Sequence, residues 1–255
     1  LINTAVPFFF CASGYLLFNK VELPINDKGQ SRLKNYAIKI LKLYIVWMIA
    51  YLPFTIYGLW TDGVSPIKAF LIFIQNFLLV GENFYSWPLW YLLAVVYAVV
   101  IILFLLRKNT SPKMILALAI VLYVIGLLID HNADSTLAHV YFSVFRKTRN
   151  VLFQGLIYFT IGAFFCKSRM NITWGSIAII STLIISAIIP QAHKIVLPLL
   201  TWLMFVTVLS IKNLNLPEKL CMSLRRMSLY IYLTHMFFIF ALTFIVPFNL
   251  DKYAM

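Results

Sequence analysis

Apolar segments follow one another along almost the whole chain, and most of them are long enough to cross a lipid bilayer. A helix needs roughly 20 mostly apolar residues to span a hydrocarbon core of about 30 Å. Runs that approach this length lie near 2–19, 37–60, 88–106, 114–129, 150–166, 173–189, 195–211 and 228–247. A further run at 67–80 has about 14 residues and carries Gln75 and Asn76, which suits a tilted span or a re-entrant helix. In lipid every backbone polar group must be paired within the chain, so runs of this kind read as helices. The expected fold is an all-α polytopic membrane helix bundle, with eight or nine transmembrane helices in one integral membrane domain over residues 1–255.

Composition agrees. Of 255 residues 62% are hydrophobic and 11% charged, whereas a soluble domain has about 25% charged residues. The net charge of +13 sits in the loops between apolar runs, which is the orientation signal of membrane proteins and leaves no soluble basic domain to bind nucleic acid. One orientation places Lys20, Lys28, Arg32, Lys34, Lys39, Lys42, Arg107, Lys108, Lys113, Lys167, Arg169, Lys212, Lys219, Arg225 and Arg226 on the cytoplasmic side, 15 of the 21 basic residues. That orientation requires 67–80 not to span. Cys11, Cys166 and Cys221 are far apart and share no CxxC spacing, so they read as unpaired residues and not as a disulfide framework or metal site.

Prolines mark several boundaries. Pro88 suits a first helical turn with Ser86 as its cap, which places Trp87, Trp90 and Tyr91 at the membrane interface. Pro190 and Pro217 end apolar runs. Pro7 lies inside the first run, so that helix either begins earlier and kinks or is broken, and broken helices in membranes line cavities. The chain begins at Leu1, directly in an apolar run and without a positive n-region, from which a true N-terminus further upstream is expected.

Polar groups inside lipid are expensive, which makes an intramembrane ionisable residue a functional candidate. His235 lies in SLYIYLTHMFFIF with Tyr232 one turn away; Ser228, Tyr232 and His235 share one helix face, and Arg225 extends it. A His beside a Tyr can shuttle a proton or hold an anion, and it can equally be a neutral residue bonded to a neighbouring helix. Ser13 and Gly14 in FFFCASGYLLF suit close packing or a ligand-bonding hydroxyl. Arg146, Lys147 and Arg149 form a basic outer cluster that suits an anionic head group, an acidic glycan or plain solvation. Gly155 and Gly162 are seven apart, as in one packing seam. Glu82 precedes the Trp87–Tyr91 segment and reads either as a base at a membrane mouth or as a loop carboxylate. HExxH, GxSxG, Walker and GxGxxG patterns are absent.

Four segments in order resemble the membrane acyltransferase-3 family: AVPFFFCASGYLLF (5–18), NYAIKILKLYIVW (35–47), PLWYLLAVVYAVV (88–100) and SLYIYLTH (228–235). The first is similar to the family's second-helix hallmark, the second to the basic approach to its third helix, the third to its Trp-Tyr-Leu helix start, and the last to its late S…YLxH segment. The membrane halves of membrane-bound serine/alanine racemases look closest. This resemblance implies a bacterial inner-membrane enzyme of about ten helices. Such an enzyme moves an acyl group, commonly acetyl from acetyl-CoA, onto a hydroxyl of a glycan or other envelope molecule, with no bound cofactor. It implies a catalytic role for His235 and substrate contacts for Ser13, Gly14, Trp90, Tyr91 and, more loosely, Arg149; Tyr232 joins the catalytic candidates through its place one turn from His235. The family's first helix carries a basic residue and, some ten residues later, a His taken as the catalytic base; neither lies in these residues, so the chain reads as the family domain without its first helix. Two other readings stand beside this one: a carrier of small polar solutes such as an amino acid, and a membrane module attached to a soluble racemase domain.

Overall fold

The computed structural model describes residues 4–166, 170–189, 192–211 and 217–245. All regular structure among them is helical: α1 (Ala5–Phe18), α2 (Asp27–Ala50), α3 (Leu52–Thr61), α4 (Pro66–Gln75), α5 (Leu89–Arg107), α6 (Pro112–His131), α7 (Thr136–Phe145), α8 (Leu156–Thr160), α9 (Ile172–Ile188), α10 (Ala192–Ser210) and α11 (Glu218–Ile245), with π-helical turns at Asn76–Val80, Val151–Gly155 and Ile161–Phe165. The all-α expectation holds. Three helices, α5, α6 and α10, are long and apolar enough to cross a membrane, or four if α2 and α3, bent by 49°, form one broken span. The remaining apolar helices have 10–17 residues, among them α1, α9 and Pro66–Val80. The expected eight or nine crossings therefore exceed what helix length and composition mark out.

Several boundaries differ from the sequence reading for local reasons. Pro7 does not kink α1, because it falls in the first turn, where its missing N–H has no intrahelical partner to lose. α2 begins at Asp27, ten residues before the apolar run at 37, so Lys28, Arg32 and Lys34 are helical. Between the apolar runs at 114–129 and 150–166, α6 continues to His131 and α7 occupies Thr136–Phe145. Pro217 immediately precedes α11; Pro190 lies outside the described residues, as do Lys167, Arg169 and Lys212.

The chain divides into two compact units. The first comprises Leu1–Leu41 and Leu93–Leu214. Its centre is the crossing of α1 with α8 and the adjoining π turns. A Cβ on Gly14 would meet the Phe159 carbonyl oxygen and lie 2.9 Å from Ala163 N; one on Gly162 would lie 2.6 Å from Cys11 Cα. The two glycines thus let the backbones touch, as small residues do in membrane helix pairs. Gly155 continues the seam, where a Cβ would lie 3.2 Å from the Phe10 ring, as the seven-residue spacing predicts. Cys11 Sγ donates to Tyr158 O at 3.1 Å across the same crossing, and all three cysteines are free.

The second unit comprises Lys42–Leu92 and Asn215–Met255. Rings hold it together. Tyr51, fully buried at the bend between α2 and α3, stacks on Phe237 of α11 with centroids 4.2 Å apart, while Phe54 and Tyr85 pack edge-on against Phe240 at 4.6 and 4.4 Å. Each such pair adds about 0.5–1.5 kcal/mol beyond the area it buries.

Candidate functional site

In the second unit α11 is fastened at two adjacent residues just before His235. The Tyr51 hydroxyl donates to Leu233 O at 2.6 Å, and the Tyr232 hydroxyl donates to Pro88 O at 2.8 Å. Pro88 closes the loop that follows the π turn Asn76–Val80, and its carbonyl also accepts from Tyr91 N at 3.3 Å in the first turn of α5. The Tyr91 ring meets the Tyr232 ring edge-on at 5.8 Å, and the Tyr232 ring centre lies 6.1 Å from that of His235. Trp90 beside them is buried. The structure thus joins Trp90, Tyr91, Tyr232 and His235 within one unit.

His235 turns back along its own helix. Its Nδ1 lies 2.8 Å from Tyr232 O and 3.2 Å from Ile231 O. A carbonyl oxygen only accepts, so Nδ1 carries the hydrogen of the neutral ring and Nε2 carries the lone pair. The bond at Nδ1 thus sets the tautomer of the neutral ring. The half-buried side chain keeps the ring partly accessible.

Ser86 does not cap α5 with its side chain. Its hydroxyl instead accepts from Asn83 N at 2.7 Å, while its backbone carbonyl takes the Leu89 N–H at 2.9 Å. Asn83, absent from the residues the sequence singled out, is 5% exposed and accepts from Asn76 Nδ2 at 2.8 Å. The signal that pointed towards it was Asn76, a carboxamide inside an apolar run.

Ser13, Gly14 and Arg149 belong to the first unit. Gly14 is buried against the backbone of α8 and Ser13 is half-buried beside it. Arg149 stands where the chain enters the π turn Val151–Gly155. Its sequence neighbours Thr148 and Asn150 belong to a polar group. Asp130 accepts from Thr148 Oγ1 at 2.6 Å and from Lys194 Nζ at 2.9 Å; Tyr123 OH donates to Lys194 O at 2.5 Å; and Asn150 Nδ2 donates to Tyr141 OH. Tyr123, Gly126, Asp130, Thr148 and Gln154 border a shallow crevice there. Glu82 is half-buried; Arg225 and Ser228 are exposed, and Ser228 Oγ donates to Arg225 O at 3.3 Å.

Comparison with known proteins gives consistent matches. The model of the acyltransferase-3 family, an acyltransferase domain, matches residues 1–252. An amino-acid racemase of Enterococcus faecalis is 25% identical over 181 residues, 68% of this chain and 25% of the relative. A serine/alanine racemase of Enterococcus gallinarum is 28% identical over 169 residues, 64% of this chain and 23% of the relative. A second amino-acid racemase of Enterococcus faecalis is 28% identical over 172 residues, 64% of this chain and 22% of the relative. The chain thus spans about a quarter of the length of these curated relatives. No solved structure matches it.

Proposed function

The chain belongs to the acyltransferase-3 family, and on that premise we propose that it is the membrane domain of an O-acyltransferase in a bacterial plasma membrane. In this reading it passes the acyl group, acetyl in the simplest case, from a cytoplasmic acyl-CoA to a hydroxyl of a cell-envelope glycan or related acceptor. The lipid bilayer surrounds it, eight or nine segments cross, and the basic loops face the cytoplasm.

The observation that carries the reading is the 2.8 Å contact of His235 Nδ1 with Tyr232 O, which in the neutral ring leaves the lone pair on Nε2. An acceptor hydroxyl placed at Nε2 gives up its proton as its oxygen attacks the thioester carbonyl carbon. The C–S bond then breaks, the thiolate leaves, and it takes a proton as free thiol. Tyr91 and Trp90 supply ring surface beside this position, while Ser13, Gly14 and Arg149 are assigned to substrate contacts through the family motifs. The test is thiol release from acetyl-CoA by the full-length protein in liposomes, with and without candidate polyol acceptors. Acceptor-dependent release supports transfer; its absence with every acyl-CoA and acceptor offered overturns it.

A second reading has its own observation. The matched relatives are named as racemases, and the chain covers only about a quarter of each. A membrane module that serves a fused soluble amino-acid racemase domain fits that proportion. The length and content of the full open reading frame decide it.

A further inference from the structure

The loop before α5 holds more buried polar contact than a simple connection requires. Asn76 and Asn83 are 2% and 5% exposed and Ser86 is fully buried. Asn76 Nδ2 donates to Asn83 Oδ1 at 2.8 Å; Asn83 Nδ2 donates to Met48 Sδ at 3.4 Å; Asn83 N donates to Ser86 Oγ at 2.7 Å; and Ser86 Oγ donates back to Asn83 O at 3.1 Å. Asn83 therefore ties three pieces of chain together: α2 through Met48, the π turn after α4 through Asn76, and its own loop through Ser86.

This arrangement is not an economical way to fill space. Asn76 Oδ1 is buried without a hydrogen-bond partner. Turning both amides round would leave Asn76 Nδ2 unpartnered instead and bring Asn83 Oδ1 against a thioether that donates nothing. An orphaned buried amide atom is destabilising, and apolar residues of the same shape would avoid that cost. A buried polar group kept at such a cost calls for an account of what it fixes.

What it fixes lies a few residues on. The Ser86 carbonyl takes the Leu89 N–H at 2.9 Å and so closes the turn that presents Pro88 O. That oxygen holds the Tyr232 hydroxyl at 2.8 Å, and the Tyr232 carbonyl in turn holds His235 Nδ1 at 2.8 Å. We infer that Asn83 is a positioning residue, the clasp that fixes the Pro88 carbonyl and, through Tyr232, holds His235 in its Nδ1–H tautomer. The inference rests on the acid–base role given to His235 above, and it adds the residues that impose that role.

The experiment uses the full-length protein labelled with ¹⁵N in its histidine rings, whose nitrogen shifts separate the two neutral tautomers. Within these 255 residues His131, His139 and His193 of the other unit serve as internal references; a His235→Gln spectrum assigns the His235 signal. Wild-type His235 is expected in the Nδ1–H form. In Asn83→Ala its minority Nε2–H form rises at least about threefold while the reference rings stay unchanged, and adding Tyr232→Phe to Asn83→Ala changes it no further than Tyr232→Phe alone. Ser86→Ala, which removes the bond from Asn83 N, repeats the effect more weakly and serves if Asn83→Ala does not fold. An unaltered His235 signal in folded Asn83→Ala or Ser86→Ala, or effects of Asn83→Ala and Tyr232→Phe that simply add, overturns the clasp. The spectrum needs no turnover, so the clasp and the transfer reading fail separately.

Discussion

Tyr232 and His235 are joined through the backbone: the carbonyl oxygen of Tyr232 sits 2.8 Å from His235 Nδ1, while the Tyr232 hydroxyl reaches Pro88 O, also at 2.8 Å. One residue thus sets both where the imidazole lies and which nitrogen carries its hydrogen. Removing the ring removes the base and little else, because His235 is only half-buried. His235→Ala is expected to lower acyl transfer by about 10²-fold or more with helix content unchanged. Thiol release from acetyl-CoA, read beside circular dichroism of the same sample, checks this, and unchanged turnover removes His235 from the site.

Gly162 and Gly14 make a different kind of prediction. A Cβ on Gly162 would lie 2.6 Å from Cys11 Cα, and backbone cannot swing aside as a flexible side chain can. Gly162→Ala should therefore destabilise the first unit by about 1–3 kcal/mol, the usual cost of overpacking. Leu16→Ala, two positions from Gly14 on the same helix but exposed, creates no such overlap and should stay close to wild-type stability. Thermal unfolding of both variants in one detergent compares them; equal stability would show that the seam tolerates separation.

Much of this was legible in the chain because lipid leaves few options. Long apolar runs fix helices, and the Gly155–Gly162 spacing names a seam that the structure places against Phe10 and Cys11. Neither the clasp nor the fastening of α11 was legible. Tyr51 meets Leu233 across 182 residues of sequence and Tyr232 meets Pro88 across 144, and no local period encodes such pairs. Ser86 misled for a related reason: a serine two residues before a helix's first proline reads as a cap, yet its hydroxyl is taken by Asn83 N. Helix starts were hidden as well, since α2 begins at Asp27 inside a basic stretch whose charges hide the helical register from a hydropathy reading.

Asp130 receives two donors of unequal worth. Lys194 is 61% exposed at its side chain, so its ion pair is screened by water and contributes at most about 1 kcal/mol. Thr148 is 5% exposed, and its hydroxyl has Asp130 Oδ1 as acceptor at 2.6 Å. Lys194→Met is therefore expected to change stability by under about 1 kcal/mol, whereas Asp130→Ala should cost about 1–3 kcal/mol because it strands the buried hydroxyl. Equal losses in chemical denaturation of the two variants would mean that the ion pair, not the hydroxyl, carries the contact.

Tyr141 gives the region around Asp130 a pH signature. Burial pushes its phenol up from the ordinary 10 to about 12, Asp130 adds to the rise, and the hydrogen bond from Asn150 opposes it. The folded protein thus keeps the proton where the unfolded chain has already lost it. The stability linked to this group is fully present below pH 10 and is lost as the pH climbs through about 12. In Tyr141→Phe that contribution is absent at every pH, so the difference in unfolding temperature between wild type and variant should shrink steadily from pH 9.5 to 11.5, a range of about two units around the onset of the phenol's ionisation. Lysines titrate over the same range in both proteins and cancel in the difference. Spectrophotometric titration of tyrosine absorbance supplies an independent reading: Tyr141→Phe should remove one late-ionising phenol and leave the early ones alone. A difference in unfolding temperature that stays constant across the range would place Tyr141 in water, with its hydroxyl no longer sheltered beside Asn150.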